Sequence, residues 1–220
     1  RLILKIKRAL LSVWNKDGIV ELGRFLADNN IEILSTGGTK IVLEEAGLDI
    51  TSISFLTGSG AVMDGRVKTL HPKVFGGILA DRENPQHLDD LEYLHGLEID
   101  LVVVNFYPFV QKAVEKKMEF KKAIEFIDIG GPSMIRAAAK NYHSVLPLCD
   151  TGLYSEFMDT FIETDGNIPL DFRKKMAVAV FAMTSDYETA IYNYFRKKDN
   201  ELPEILNINL VKSLALRYGE

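Results

Sequence analysis

Apolar runs alternate with segments of helical period through the first two thirds of the chain, and that alternation predicts a parallel sheet with helices on its faces. Strands are expected at Ala9 to Val13, Glu32 to Ser35, Ile50 to Ile53, Gly77 to Ala80, Leu101 to Asn105 and Val145 to Leu148. Between them, Asp17 can cap a helix carrying Ile19, Leu22, Phe25 and Leu26 on one face, with Asn29 and Asn30 ending it. Thr39 can start a second helix that Gly47 ends, and Pro85 to His95 supplies a third. Connections this short favour right-handed crossovers, which gather the polar strand ends along one edge of the sheet, where ligands bind in open α/β sheets.

The last third changes character. Gly166 to Pro169 reads as a turn, and Phe172 to Lys198 as one long helix rich in Ala, Met, Phe and Tyr. Leu202 and Pro203 break it before the apolar run Ile205 to Leu210.

Composition narrows the class. A chain of 220 residues, 47% hydrophobic, is long enough to bury a proper core. No apolar run approaches the roughly 20 residues that cross a bilayer, and the opening residues are too interrupted by charge for a secretory signal, so a cytoplasmic protein without a membrane partner is expected. A net charge of −5 argues against a nucleic-acid surface but leaves room for one bound nucleotide, whose phosphate needs only a local cluster of N–H groups and cations. The single cysteine, Cys149, reads as a buried strand-end thiol, and His87, His95 and His143 show no metal-ligand spacing.

Four polar segments stand where strands or loops give way to helices. Ser35-Thr36-Gly37-Gly38-Thr39 offers glycine backbone and hydroxyls to an oxyanion at a helix start, although a plain strand-to-helix turn fits it as well. It lacks the lysine of a P-loop and the spacing of a dinucleotide fingerprint, and Lys16 after the first strand can supply the charge instead. In Gly65 to Pro72, Arg66 and Lys68 are two apart, which in extended backbone sends both to one face and invites an anion between them; a solvated loop pair is the alternative. His71 reads as a structural hydrogen-bonding residue. Asn105-Phe106-Tyr107-Pro108 adds polar and phenolic groups, and Asp128-Ile129-Gly130-Gly131-Pro132 opens an alanine-rich helix that ends at Lys140.

Taken together with Leu11-Ser12-Val13 and Arg136-Ala137-Ala138-Ala139-Lys140-Asn141, these segments resemble the inosine monophosphate cyclohydrolase domain of the bifunctional purine-biosynthesis protein that also carries an aminoimidazole-carboxamide ribonucleotide transformylase. The resemblance runs from Arg8 to Glu220, where Leu216 to Glu220 is similar to the sequence leading into the transformylase domain. It implies a methylglyoxal-synthase-like three-layer α/β/α fold over residues 1–150, a helical extension over 151–204 that packs on the core or a dimer partner, and a connecting segment over 205–220. The implied reaction closes the purine ring of a formamido-imidazole-carboxamide ribotide, with loss of water.

By the same matching, Lys140, Asp128, Lys68 and Tyr107 are the expected catalytic residues. Lys16, Thr36, Gly37, Gly38 and Thr39 would hold the phosphate, Arg66, Val67, Lys68 and Thr69 would line the ribose and base, and Asn105, Phe106, Asp128 and Ile129 would complete the base pocket, with Ser12, Trp14, Asn15 and Gly130 as further substrate-binding residues. The family more often has a small polar residue where Trp14 stands, which puts a side-chain contribution from that turn in doubt. No metal or cofactor is implied for this domain, since a folate donor would belong to the transformylase. A homodimer is implied. A non-catalytic phosphate-binding module of the same fold and methylglyoxal synthase itself are the rivals; the first has no reason to carry Arg66, Lys68, Tyr107, Asp128 and Lys140 together, and the second needs a differently placed carboxylate set for enolisation.

Overall fold

The computed structural model describes residues 3–107, 109, 113, 118–196 and 204–210, which fall into two compact units. The first comprises Arg1–Tyr107 and Asp128–Thr184, and the second Pro108–Ile127 and Ser185–Glu220. In chain order the elements are β1 (Ile3–Lys5), β2 (Arg8–Val13), α1 (Ile19–Asp28), β3 (Glu32–Ser35), α2 (Gly37–Glu45), β4 (Thr51–Ser52), α3 (Ile53–Thr57), α4 (Pro72–Leu79), α5 (Pro85–Tyr93) and β5 (Leu101–Asn105). There follow α6 (Phe120–Ala123), α7 (Gly130–Lys140), β6 (Leu146–Leu148), α8 (Tyr154–Glu163), β7 (Asn167–Pro169) and α9 (Leu170–Phe195).

In the first unit, five parallel strands lie in the order β4-β3-β2-β5-β6. The two-residue period of the central strands divides the core into two layers. Ala9, Leu11 and Val13 of β2 with Leu101 and Val103 of β5 face Leu22 and Leu26 of α1, Leu43 of α2 and Phe157 of α8. Leu10, Val102 and Val104 face the other way, onto Val74 and Ile78 of α4, Met134, Ile135 and Ala138 of α7, and Ala177 and Val180 of α9. The three-layer α/β/α architecture is therefore the one expected. Arg173 on α9 is wholly buried and its guanidinium donates to the carbonyls of Tyr142 and His143, just past the end of α7. β1 and β7 form a separate antiparallel pair.

Several local expectations change. Gly77 to Ala80 is not a strand but the end of α4, which His71 caps by accepting the Lys73 N–H at 3.2 Å and which has Pro72 in its first turn. Gly77 is there for close approach: a Cβ would stand 2.2 Å from the Leu97 carbonyl oxygen. Asp17 does not cap α1; the cap position is Gly18, in left-handed backbone at φ 70°, and Asp17 donates its N–H to Asn15 Oδ1. α2 starts at Gly37 rather than Thr39. The third helix ends at Tyr93, short of His95. Gly166 does turn the chain, at φ 73°, but Asn167 to Pro169 then pair with β1. β4 is only Thr51–Ser52, because Ile53 begins α3. The long helix begins two residues early at Leu170, while the break at Leu202 and Pro203, and Leu216 to Glu220, lie outside the described residues.

The second unit carries an aromatic cluster: Phe120 stacks on Tyr194 at 5.8 Å, and Phe109 meets the same ring edge-on at 5.1 Å. Tyr192 donates its hydroxyl to the Ile205 carbonyl at 2.8 Å.

Candidate active site

The sheet order supplies the first argument. From β2 the chain steps outward to β3 and β4, then returns to β5 on the other side of β2 and continues to β6. The direction reverses between β2 and β5, and the carboxyl ends of two such strands splay to leave a crevice. Those ends are Ser12-Val13-Trp14 and Asn105-Phe106-Tyr107. Half-buried Ser12 is paired in register with Val104.

Asn105 ties the two ends together. Its side-chain Oδ1 accepts from the N–H groups of Trp14 and Asn15, both at 2.8 Å, and its Nδ2 donates to the Asn15 carbonyl at 3.3 Å. Asn105 thus acts as a structural brace between the two strand ends. Tyr154 lies behind it, where burial pushes the phenol pKa up against the lowering effect of the Asn105 amide. Thr39 is similarly engaged: its buried hydroxyl accepts from the Val13 N–H at 3.0 Å and donates to the Val13 carbonyl at 2.9 Å, anchoring the first turn of α2 to the end of β2. Thr36, at the cap position of α2, makes no side-chain cap bond, and Gly37 and Gly38 are exposed. Gly37 sits at φ 57°, a conformation a side chain would resist.

Two lysines converge on this first turn. Lys16 donates to the carbonyls of Val13 and Trp14, so its ammonium shares the Val13 oxygen with Thr39. Lys68 places its Nζ 2.9 Å from where a Cβ on Gly37 would be. Both are half-buried, and desolvation lowers the pKa of each below the usual lysine value. Among the described residues neither forms an ion pair.

Lys68 is delivered by a tight loop closed by an antiparallel bridge between Val62 and Val67. Met63, Asp64 and Gly65 in its tip all have left-handed backbone, with φ of 53°, 54° and 89°. Arg66 then adopts helical backbone, φ −64°, so the alternation that would align it with Lys68 does not apply. Arg66 is exposed, Val67 and Lys68 are half-buried and Thr69 is buried. Thr69 Oγ1 stands 2.9 Å from the Cβ position of Gly130, so the segment spans from the start of α2 to the start of α7.

At that second helix start, Asp128 Oδ1 accepts from the Gly131 N–H at 3.1 Å, and its Oδ2 is 2.5 Å from the Cβ position of Gly131. Burial raises the carboxyl pKa above the ordinary range, while the N–H groups of Gly131 and Gly130 pull the other way. Ile129 is exposed beside it and Phe106 packs at the margin of the α4/α7 layer. Lys140 is the residue that does not join. It ends α7, an eleven-residue helix, and so stands about 15 Å along the axis from Gly130, given the 1.5 Å rise per residue. Its neighbour Asn141 donates to the carbonyls of Ile78 and Ala80, at the opposite edge of the sheet.

The comparisons with known proteins agree with this fold. The profile of the MGS-like domain family matches residues 18–133, more than half of the chain. The chain belongs to the MGS-like domain family. The profile described as the AICARFT/IMPCHase bienzyme matches residues 138–220. Curated relatives of this MGS-like chain include the bifunctional purine biosynthesis protein PurH of Clostridium kluyveri and of Clostridium acetobutylicum, each 47% identical over 98% of the chain and 42% of the relative. PurH of Clostridium perfringens is 45% identical over 97% of the chain. The chain thus spans about two fifths of these relatives' length. Among solved structures, ForH shares 32% identity with a TM-score of 0.74, covering 87% of this chain and 98% of that one.

The reading of the sequence missed the switch point, because strand order is not written in strand pattern. It also missed the bracing roles of Asn105 and Thr39; Thr39 had a legible signal, since a hydroxyl one turn into a helix that packs on the preceding strand has backbone partners within reach.

Proposed function

We propose that this chain is an inosine monophosphate cyclohydrolase, closing the second purine ring of a formamido-imidazole-carboxamide ribotide. One observation supports it above the rest: two half-buried lysines, without ion pairs among the described residues, meet the glycine turn of α2, on the side of the crevice opposite Asp128 at the start of α7, whose carboxyl pKa burial raises. The purine-biosynthesis relatives and the match to the bienzyme profile point the same way.

In this proposal the phosphate takes the exposed N–H groups of Gly37 and Gly38, with Thr36 and Lys16 beside it. The base lies across Lys68 and Thr69 toward Asp128. The carboxamide nitrogen attacks the formyl carbon, forming the new C–N bond as the carbonyl π pair moves to oxygen. Lys68 and Tyr107 steady that oxygen and protonate it, and Asp128 takes the proton from the attacking nitrogen. Asp128 then returns its proton to the hydroxyl, which leaves as water, while the formamido nitrogen gives its own proton back to Lys68, and the new C=N bond completes the aromatic ring. Burial suits Asp128 to the base role, since a carboxylate with a raised pKa binds a proton more readily. Ring closure within one molecule already brings the reacting atoms together, so the proposal calls on no metal or cofactor for this step. Lys140, at the far end of α7, is given no proton transfer. Cytoplasmic residence, assembly as a homodimer and a formyltransferase partner activity in a longer parent protein remain parts of the proposal. No helix among the described residues is long and apolar enough to cross a membrane.

The test is an absorbance assay for inosine monophosphate formation from the formylated ribotide, run on this chain. Catalysed turnover is expected; a folded chain that binds the nucleotide and does not close the ring would refute the reading.

A further inference from the structure

Trp14 stands between the phosphate end and the reacting end of the proposed site, and its backbone is pinned on both sides. One residue before it, the Val13 N–H donates to Thr39 Oγ1 at 3.0 Å and the Val13 carbonyl accepts from the same hydroxyl at 2.9 Å, which ties the strand end to the first turn of α2. On the other side, the Trp14 N–H donates to the Asn105 carbonyl at 3.1 Å and to Asn105 Oδ1 at 2.8 Å, which ties it to the end of β5. None of these bonds uses the indole. The ring is carried on a fixed stem that does not need it.

The indole reaches across the gap between the two strand ends. Its centroid is 4.3 Å from that of Tyr107, which follows β5, and the interplanar angle is 85°, an edge-to-face arrangement. Whichever ring presents its edge, such a pair cannot cover both faces of the indole, and 48% of Trp14 is open to solvent. The neighbouring aromatic of the rim, Phe106, packs instead at the margin of the α4/α7 layer. Trp14 therefore leaves a flat π face uncovered over the crevice, held at a fixed height by backbone bonds.

We infer that Trp14 is a base-recognition residue, whose open indole face stacks on the heterocycle of the nucleotide once the phosphate is seated at α2. This rests on the proposed ring closure, which sets the heterocycle beside Tyr107 and so within reach of the indole. An aromatic face takes the imidazole of the ribotide and the purine of the product alike, and gives nothing to a sugar phosphate that lacks a base. Stacking of this kind holds substrate and transition state equally, so its effect falls on KM and not on kcat.

Trp14 is the only tryptophan in the chain, so tryptophan emission reports on this position alone. The experiment titrates the whole chain with inosine monophosphate and with ribose 5-phosphate, by calorimetry and by tryptophan emission, and repeats the calorimetry on Trp14→Ala and Trp14→Phe. Inosine monophosphate is expected to quench the emission strongly and saturating ribose 5-phosphate far less. Trp14→Ala is expected to weaken inosine monophosphate about tenfold, the scale of one base on one aromatic ring, with ribose 5-phosphate within about twofold, and Trp14→Phe to recover most of the loss. Nucleotide binding that leaves the emission unchanged, or wild-type nucleotide affinity in Trp14→Ala, would overturn the inference while leaving the cyclohydrolase reading intact. Equal weakening of both ligands would place the indole at the phosphate end, which also overturns it. A wild type that binds and is quenched but does not close the ring would refute the cyclohydrolase reading and keep the stacking, and one that binds no inosine monophosphate would overturn both. The wild-type emission decides even where a variant fails to fold.

Discussion

The two edges of the same sheet carry comparable amounts of charge and use it in opposite ways. At the amino edge, Asp100 Oδ2 accepts from the N–H groups of Lys7 and Arg8 at 2.8 and 3.0 Å, and buried Arg82 lies between Glu98 and Asp100 while donating to the carbonyls of Gly77, Ala80 and Ile99. Arg8 pairs with Glu32 at 2.6 Å. At the carboxyl edge, Lys16 and Lys68 are half-buried without an ion pair among the described residues, and Asp128 is held by backbone N–H groups. Paired charge fixes the fold. Partly desolvated cations left without a carboxylate cost stability, and the cost is offset only when an anion arrives.

The comparison breaks most visibly if the amino edge is unpaired. Arg82→Met removes the cation beside a buried Asp100, and should lower unfolding stability by about 3 kcal/mol in denaturant titration, with turnover per folded molecule nearly unchanged. Loss of turnover without loss of stability would mean that the amino edge belongs to the site.

Asp128→Asn should do the reverse, lowering kcat at least about 100-fold, the scale of a lost general base. Because burial raises its folded pKa above the unfolded value, the stabilising share of Asp128 is complete below the unfolded value and is lost as pH rises through the folded one. At pH 7 the amide should therefore hold or raise the thermal midpoint, and a large fall would give Asp128 a structural role. Lys68→Met comes next, weakening inosine monophosphate binding about tenfold by titration calorimetry, with no loss of stability at neutral pH. Its folded pKa is depressed, so the stability it contributes is present above its ordinary value and is lost as pH falls through the folded one. Thr39→Val should cost about 1 kcal/mol of stability, the scale of the Val13 hydrogen bonds it removes, and a pure rise in KM instead would return its hydroxyl to the ligand. Arg8→Leu is the smallest, under about 1 kcal/mol, as for a partly exposed pair.

What the sequence disclosed follows from the range of the forces involved. β2, β3, β5 and β6 were legible because each is a continuous apolar run sandwiched by two layers, and the rim segments because glycine, proline and charge at strand ends are local signals. Gly77 to Ala80 was misread as a strand because Gly77 answers to the carbonyl of Leu97, twenty residues on, and not to its neighbours. β1 and β7 escaped because each pairs only with a segment at the other end of the first unit's sequence. The site shows the same division. Residue types were readable, but the occupation of Asn105 and Thr39 by backbone partners depends on the meeting of β2, β5 and α2. The separation of Lys140 from Asp128 follows from the helix between them, and its length was already present in the alanine-rich pattern.

The most direct measurement is a crystal structure of the chain grown with inosine monophosphate. The account predicts the phosphate on the N–H groups of Gly37 and Gly38, with Lys16 and Lys68 within hydrogen-bonding reach of the nucleotide and the purine ring directed at Asp128. A nucleotide seated at the amino edge beside Arg82 and Lys140, or a crevice left empty at saturating nucleotide, would contradict it.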